Sequence, residues 1–237
     1  MQPVTTAAAT GPVERDVRQR DLVPPERLAT CHALVVGVGA IGRQVALQLA
    51  AVGVPRMTLF DDDTVGTENL APQGYWADHL GMLKVTATSH TCRLLHPVME
   101  IRGVPERFKR STARKVASER DLIVFACVDS IGTRRLLWES LRHSAGLFVD
   151  GRMSAEVLRV LAAAHPATDT YYATTLFDES QAYVGACTAR STIYTASIAA
   201  GIMVGQWARW LRGQPVDADL CLNLLASELT VAGSPSA

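Results

Sequence analysis

Over its first 150 residues the chain alternates short apolar runs with longer stretches of helical spacing. His32–Val36 (HALVV) is a short apolar run that stops at glycine. Such a run predicts a strand buried on both faces, as in a parallel sheet. Residues 43–52 continue as a helix that Gly53 stops. Residues 56–60 predict a second strand, ending in Asp61, Asp62 and Asp63. Residues 64–75 contain Gly, Asn and Pro and read as loop. Residues 81–95 have helical character and stop before Pro97. Residues 98–104, 121–126 and 147–150 predict further strands, with a helix over 131–143. Strands alternating with helices imply right-handed crossovers. The predicted class is therefore α/β, a Rossmann-like, mostly parallel sheet with helices on both faces.

The pattern changes after Gly151. Residues 156–164 and 170–177 read as two strands joined at HPATD, an antiparallel hairpin extending the sheet. Residues 188–212 predict a long helix, on which Ile198, Ile202, Trp207 and Trp210 form a core or dimer stripe. Residues 219–231 supply a last strand. No repeat or linker divides the chain, so residues 13–237 read as one domain. Residues 1–12, rich in Ala, Thr, Pro and Gly, read as a disordered lead-in.

Composition narrows the function classes. Lys+Arg and Asp+Glu both number 23, giving a formal net charge of zero. This argues against general nucleic-acid binding but leaves room for a local basic site, as for tRNA. No apolar stretch is long enough for a membrane span, and the N-terminus lacks the regions of a secretory signal. The five cysteines (Cys31, Cys92, Cys127, Cys187 and Cys221) are scattered, with no CxxC pair. That spacing points to a reducing cytoplasm and away from a disulfide framework.

The chemistry begins at GVGAIG. Gly37, Gly39 and Gly42 form GxGxxG between a strand and a helix, and Ala40 within the turn is a further candidate for nucleotide contact. The first glycine permits a tight turn, the second lets backbone approach phosphate, and the third allows close helix–strand packing. Free N–H groups at the helix N-terminus then meet the phosphate. Asp61 stands about twenty residues on, where a carboxylate accepts hydrogen bonds from ribose hydroxyls. By itself this fingerprint favours NAD.

Further motifs move the ligand to ATP. LFDDDTVGTENLAPQGY, GMLKV and FACVDSIGTRR follow in order, and RDVRQ stands upstream at residues 15–19. Together they resemble the ThiF/MoeB/ubiquitin-activating-enzyme superfamily, from about residue 15 to about residue 213. Members of it show Asp-x-Asp-x-Val, Asn-Leu-x-Arg-Gln, Gly-x-x-Lys and an aspartate followed by Thr-Arg. The resemblance implies adenylation. ATP·Mg²⁺ and a carboxylate bind, usually the C-terminal glycine of a ubiquitin-like or sulfur-carrier protein. The carboxylate attacks the α-phosphate, pyrophosphate leaves, and a mixed anhydride results. Cations must offset the repulsion between the anionic nucleophile and the phosphates.

On that resemblance Lys84 matches the phosphate-contacting lysine and Asp129 the aspartate that holds Mg²⁺. Asp61 and Asp63 match the acidic pair near the ribose. Asn69 and Gln73 match polar residues lining the phosphates. Arg18 matches an arginine supplied by the neighbouring subunit, which implies a homodimer. Arg134 matches the Thr-Arg arginine and reads as structural. The competing readings are a solvated helix face for Lys84, an N-cap for Asp129 and ordinary surface charge for Arg18. Asp62 reads as merely exposed.

Two departures stand out. Pro72 occupies the place of a phosphate-contacting arginine and brings neither charge nor N–H. Arg43, in the first turn after the third glycine, is the candidate substitute; its alternative is to point to solvent. Secondly, members with two CxxC pairs bind zinc, and none is expected here. Cys187 precedes the long helix, as a cysteine does in some members. A thiol at a helix N-terminus is activated for acyl or sulfur transfer; otherwise Cys187 is a structural cysteine. Alternatives to a protein substrate are a small peptide, the carboxylate of a tRNA base as in the cyclic threonylcarbamoyladenosine dehydratases, and a nucleotide-binding scaffold without turnover. NAD-dependent hydride transfer ranks last.

Overall fold

The computed structural model describes residues 15–117, 121–177 and 191–232. They build one eight-stranded sheet in the order β3-β2-β1-β4-β5-β6-β7-β8. The strands are β1 His32–Val36, β2 Arg56–Phe60, β3 Glu100–Val104, β4 Leu122–Ala126, β5 Ala145–Ser154, β6 Val157–Ala163, β7 Asp219–Asn223 and β8 Glu228–Ala232. The first five run parallel, and the last three continue the sheet antiparallel. Every residue of β1 and β4 is buried, as expected where helices cover both faces.

The helices are α1 Pro25–Leu28, α2 Ala40–Val52, α3 Leu70–Gln73, α4 Lys84–Leu95, α5 Arg110–Val116, α6 Ile131–Leu141, α7 Pro166–Thr174 and α8 Ile193–Leu211. α2, α4 and α8 pack against one face of the sheet. α5, α6 and α7 cover the other. On α8 Trp207 is buried, and Ile198, Ile202 and Trp210 pack half-buried against the same core, so the apolar stripe faces the core.

α2 is fastened at its far end. Gly53 takes φ +104 and closes the helix through its N–H to Leu49 O, a left-handed stop that glycine adopts without strain. Arg15 donates to Ala50 O and Ala51 O at 2.7 and 2.9 Å, and Gln19 to Val52 O at 2.6 Å. The Arg15–Gln19 segment thus caps the last carbonyls, where a cation also suits the helix dipole. Arg18, between them, is exposed.

The hairpin expected from 156–164 and 170–177 is corrected. β6 pairs backwards with β5, from Ser154↔Val157 to Phe148↔Ala163, and residues 166–174 are helical. Aromatic and β-branched residues in TDTYYATT gave a strand-like composition. Pro166 in the first turn outweighs it, with Thr168 Oγ1 accepting from Ala164 N at 3.0 Å and His165 N at 3.2 Å. His165 is therefore the N-cap of α7 rather than a hairpin turn. The single last strand expected over 219–231 is two strands, β7 and β8. The segment 64–75 also contains α3 within what reads as loop. The expected lead-in at 1–12 lies outside the described residues, as does Cys187.

Candidate nucleotide site

The parallel order reverses between β1 and β4, and their C-terminal ends stand level, Val36↔Ala126. An open α/β sheet binds ligands at such a switch point. The glycine turn leaves β1 there. Gly37 has φ +84, and a Cβ on it would lie 2.5 Å from Cys127 O. A Cβ on Gly42 would lie 1.8 Å from Gly37 O. Neither position admits a side chain. Gly39 differs, since a Cβ there would meet nothing closer than the Gln73 amide at 4.0 Å. Ala40 opens α2 behind it.

The acidic residues close one side of the turn. Asp61, half-buried at the end of β2, accepts from Val38 N at 2.7 Å and Asp63 N at 2.9 Å. Burial raises its carboxyl above the ordinary value, while hydrogen bonds from the Val38 and Asp63 backbone and the Lys84 charge pull it down. Asp63 Oδ2 lies 2.8 Å from Lys84 Nζ, and Asp63 O accepts from Lys84 N. Lys84 is the first residue of α4, with its side chain only 7% exposed. It is thus no solvated helix face. A cation at a helix N-terminus is disfavoured by the dipole; Asp63 offsets it, and a phosphate would do so further.

The segment before α4 covers the turn. Asn69 is buried, with Oδ1 accepting from Gly66 N at 2.9 Å. Gln73 lies over Gly39, its Oε1 buried without a partner. Its own carbonyl accepts from Gln44 Nε2 at 3.3 Å. Tyr75, which sequence reasoning missed, ties these pieces together. Its hydroxyl donates to Val38 O at 2.7 Å and lies 3.0 Å from Thr88 Oγ1. A buried tyrosine whose hydroxyl must find partners was readable in NLAPQGY only as part of the motif.

Arg43 neither points to solvent nor stands free for phosphate. It is 1% exposed. Its Nε donates to Gly74 O at 3.2 Å, and its guanidinium carbon lies 4.2 Å over the Tyr75 ring. Burial lowers its pKa from the ordinary value. It locks α2 to the segment carrying Pro72 and Gln73.

Asp129 is exposed on the loop after β4, across the turn from Asp61. It is not the N-cap of α6: that is Ser130, whose Oγ accepts from Thr133 N. Asp61, Asp62 and Asp63 place carboxylate oxygens within 4.8 Å of one another. All three are engaged, Asp61 by two N–H groups, Asp62 by Arg107 at 2.9 Å and Asp63 by Lys84. Arg134 is buried. It pairs with Asp150 at 2.5 Å and donates to Val128 O. Asp150, fully buried, also accepts from Arg152 at 2.8 Å and Tyr172 at 3.2 Å. This compensated network braces β5. Burial pushes the Cys31 thiol up to about 11 and Cys92 up to about 12, so neither is a ready nucleophile.

The turn fits a nucleotide phosphate. Gly39 leaves its backbone open, the Gln73 amide lies over it with an Nε2 that can donate, and Lys84 supplies charge beside it. Among the described residues no helix is long and apolar enough to cross a membrane.

Comparison with known proteins agrees with this geometry. The chain is 34% identical over 145 residues to the adenylyltransferase and sulfurtransferase MOCS3 of Sus scrofa, covering 58% of this chain and 32% of that protein. It is 33% identical over 135 residues to the SAMP-activating enzyme E1 of Haloferax volcanii, covering 55% and 50%. The chain thus spans half or less of these relatives. Among solved structures, PaaA superposes with a TM-score of 0.74 at 19% identity, covering 96% of this chain and 84% of that one. The E. coli tRNA N6-threonylcarbamoyladenosine dehydratase TcdA gives 0.69 at 15%, covering 88% and 98%. At such identities the likeness concerns the fold. The ThiF family model matches residues 15–229, and the chain belongs to the ThiF family.

Proposed function

We propose that the chain is an ATP-dependent adenylyltransferase acting on a carboxylate, the C-terminal glycine of a ubiquitin-like or sulfur-carrier protein. The observation that carries this reading is the Lys84–Asp63 pair at 2.8 Å beside an open Gly39 roofed by Gln73. A dehydrogenase has no need of a buried lysine at the phosphate turn. The family and the relatives named as activating enzymes support the same reading.

ATP supplies the adenylyl group, and its pyrophosphate departs as the carboxylate bonds to the α-phosphorus. Gly37 turns the chain, its own N–H donated to Phe60 O at 2.8 Å. Gly42 lets α2 pack against the turn. Gly39 leaves room for the phosphates to reach the backbone N–H groups that open α2. Asn69 and Gln73 line the phosphates, and Lys84 offsets their charge. Asp61 orients the ribose while fixing the turn through Val38 N. Asp129 holds Mg²⁺, a hard cation that takes one or two carboxylates together with substrate oxygens. Arg18 acts in the site of a second copy. Its own segment is docked at the far end of α2, about 20 Å from the glycine turn at 1.5 Å per residue. The Cys187 thiolate attacks the carbonyl of the acyl adenylate, forming a thioester as the acyl–phosphate bond breaks and AMP leaves. The cytoplasm, with its reduced thiols, suits that chemistry.

Pro72 favours a second reading, nucleotide binding without turnover, because Arg43 is engaged elsewhere. ATP–pyrophosphate exchange decides between them. Exchange stimulated by a Gly-Gly-ending ubiquitin-like protein is expected, and Cys187→Ser should keep it while losing onward transfer. ATP binding without exchange on any Gly-Gly protein, small peptide or modified tRNA would establish the scaffold instead. Absence of ATP binding would remove both readings.

A further inference from the structure

Pro72 leaves this end of the sheet one cation short of the family pattern, and the nearby cations already described are committed. Lys84 already has its own place at the phosphates, while Arg43 is buried and held by Gly74 and Tyr75, and Arg134 is buried and held by Asp150. Arg107 is placed differently. It lies between β3 and α5, three residues beyond Val104. Val104 pairs with Phe60, the residue before Asp61. Its side chain is 80% exposed, and its Nε donates to Asp62 Oδ2 at 2.9 Å. Asp62 is the middle member of the three clustered carboxylates. The hydrogen bond and charge of Asp62 raise the guanidinium pKa, and Asp63 and Asp129 add to the effect. In space the arginine is joined to the phosphate-side lysine through neighbouring carboxylates: Asp62, at 2.9 Å, lies within 4.8 Å of Asp63, which pairs with Lys84 at 2.8 Å.

We propose that Arg107 supplies the positive charge that Pro72 leaves out, its guanidinium passing from Asp62 to the β- and γ-phosphates of bound ATP. An exposed ion pair is weakly held. Phosphate oxygens offer a guanidinium a bidentate, more highly charged partner. The movement needs only rotation of an exposed side chain. Asp62 then serves to park the arginine over the site before the nucleotide arrives. This inference rests on the nucleotide reading above.

Calorimetric titration with ATP and with AMP, both with Mg²⁺, tests it without relying on turnover. Arg107→Ala should weaken ATP about tenfold and AMP less than about twofold, because AMP lacks the outer phosphates. Arg107→Lys should fall between, since charge is kept and the fork is lost. Asp62→Ala should bind ATP at least as tightly as the parent. Unchanged ATP affinity in Arg107→Ala, equal losses for ATP and AMP, or a loss in Asp62→Ala matching that of Arg107→Ala would each overturn the proposal. If the parent itself bound no ATP, the reading of the whole site would fall, and that result is distinct from the other three.

Discussion

Arg43 shows how far a single residue's role depends on partners distant in sequence. Its place beside the third glycine suggests a phosphate ligand, yet in the fold it is buried against Tyr75 and Gly74. Nothing in residues 37–43 announces that contact, because the partner lies more than thirty residues away and arrives only when α3 crosses the turn. Lys84 and Asp63 were readable from motif spacing, since both lie in short, ordered sequence signatures. Arg107 was not, for it stands in a segment without a motif. The burial of Arg43 makes a prediction. Arg43→Ala removes a cation–π contact and leaves Gly74 O without its donor, so it should cost about 2–4 kcal/mol in urea unfolding. A variant as stable as the parent but unable to bind ATP would instead restore the phosphate role.

At the scale of elements, β1, β2 and β4 were legible because each is a short, largely apolar run bounded by glycine or aspartate. The run His32–Val36 is the clearest case: all five residues are buried. Two helices were harder. RSTARKV on α5 buries only Ala113 and Val116, too few to write a period. On α7 the tyrosines argued for a strand, and the deciding signals were Pro166 and Thr168. Thr168 is 1% exposed, and its hydroxyl accepts from two backbone N–H groups while donating to His165 O at 2.9 Å. Thr168→Ala should therefore lower stability by about 1–2 kcal/mol. Serine at the same place should recover most of it, and an alanine variant with unchanged unfolding midpoint would show that the cap contributes little.

The whole molecule joins a parallel half that carries the turn to an antiparallel half that widens the sheet. Within one chain, Arg18 and the glycine turn are attached to opposite ends of α2. That separation gives the proposed second copy a concrete signature. Arg18→Ala and Lys84→Ala, each inactive alone, should regain activity when mixed and allowed to exchange subunits. Half the dimers would then be mixed, each with one intact site of two, giving about a quarter of parental activity. No recovery in a mixture shown by mass spectrometry to contain mixed dimers would place Arg18 outside the neighbouring site.

The three glycines of the turn are unequal, and the difference can be put to use. Alanine at position 37 or 42 would drive a methyl group into backbone, so such variants report on folding as much as on ligand. Position 39 has negative φ, and a methyl there would meet nothing nearer than the Gln73 amide at 4.0 Å, an ordinary van der Waals contact. Gly39→Ala should melt like the parent while its methyl stands where phosphate would approach. It would give a folded protein blind to nucleotide, against which partner binding could be measured in cells or in extracts without the chemistry running.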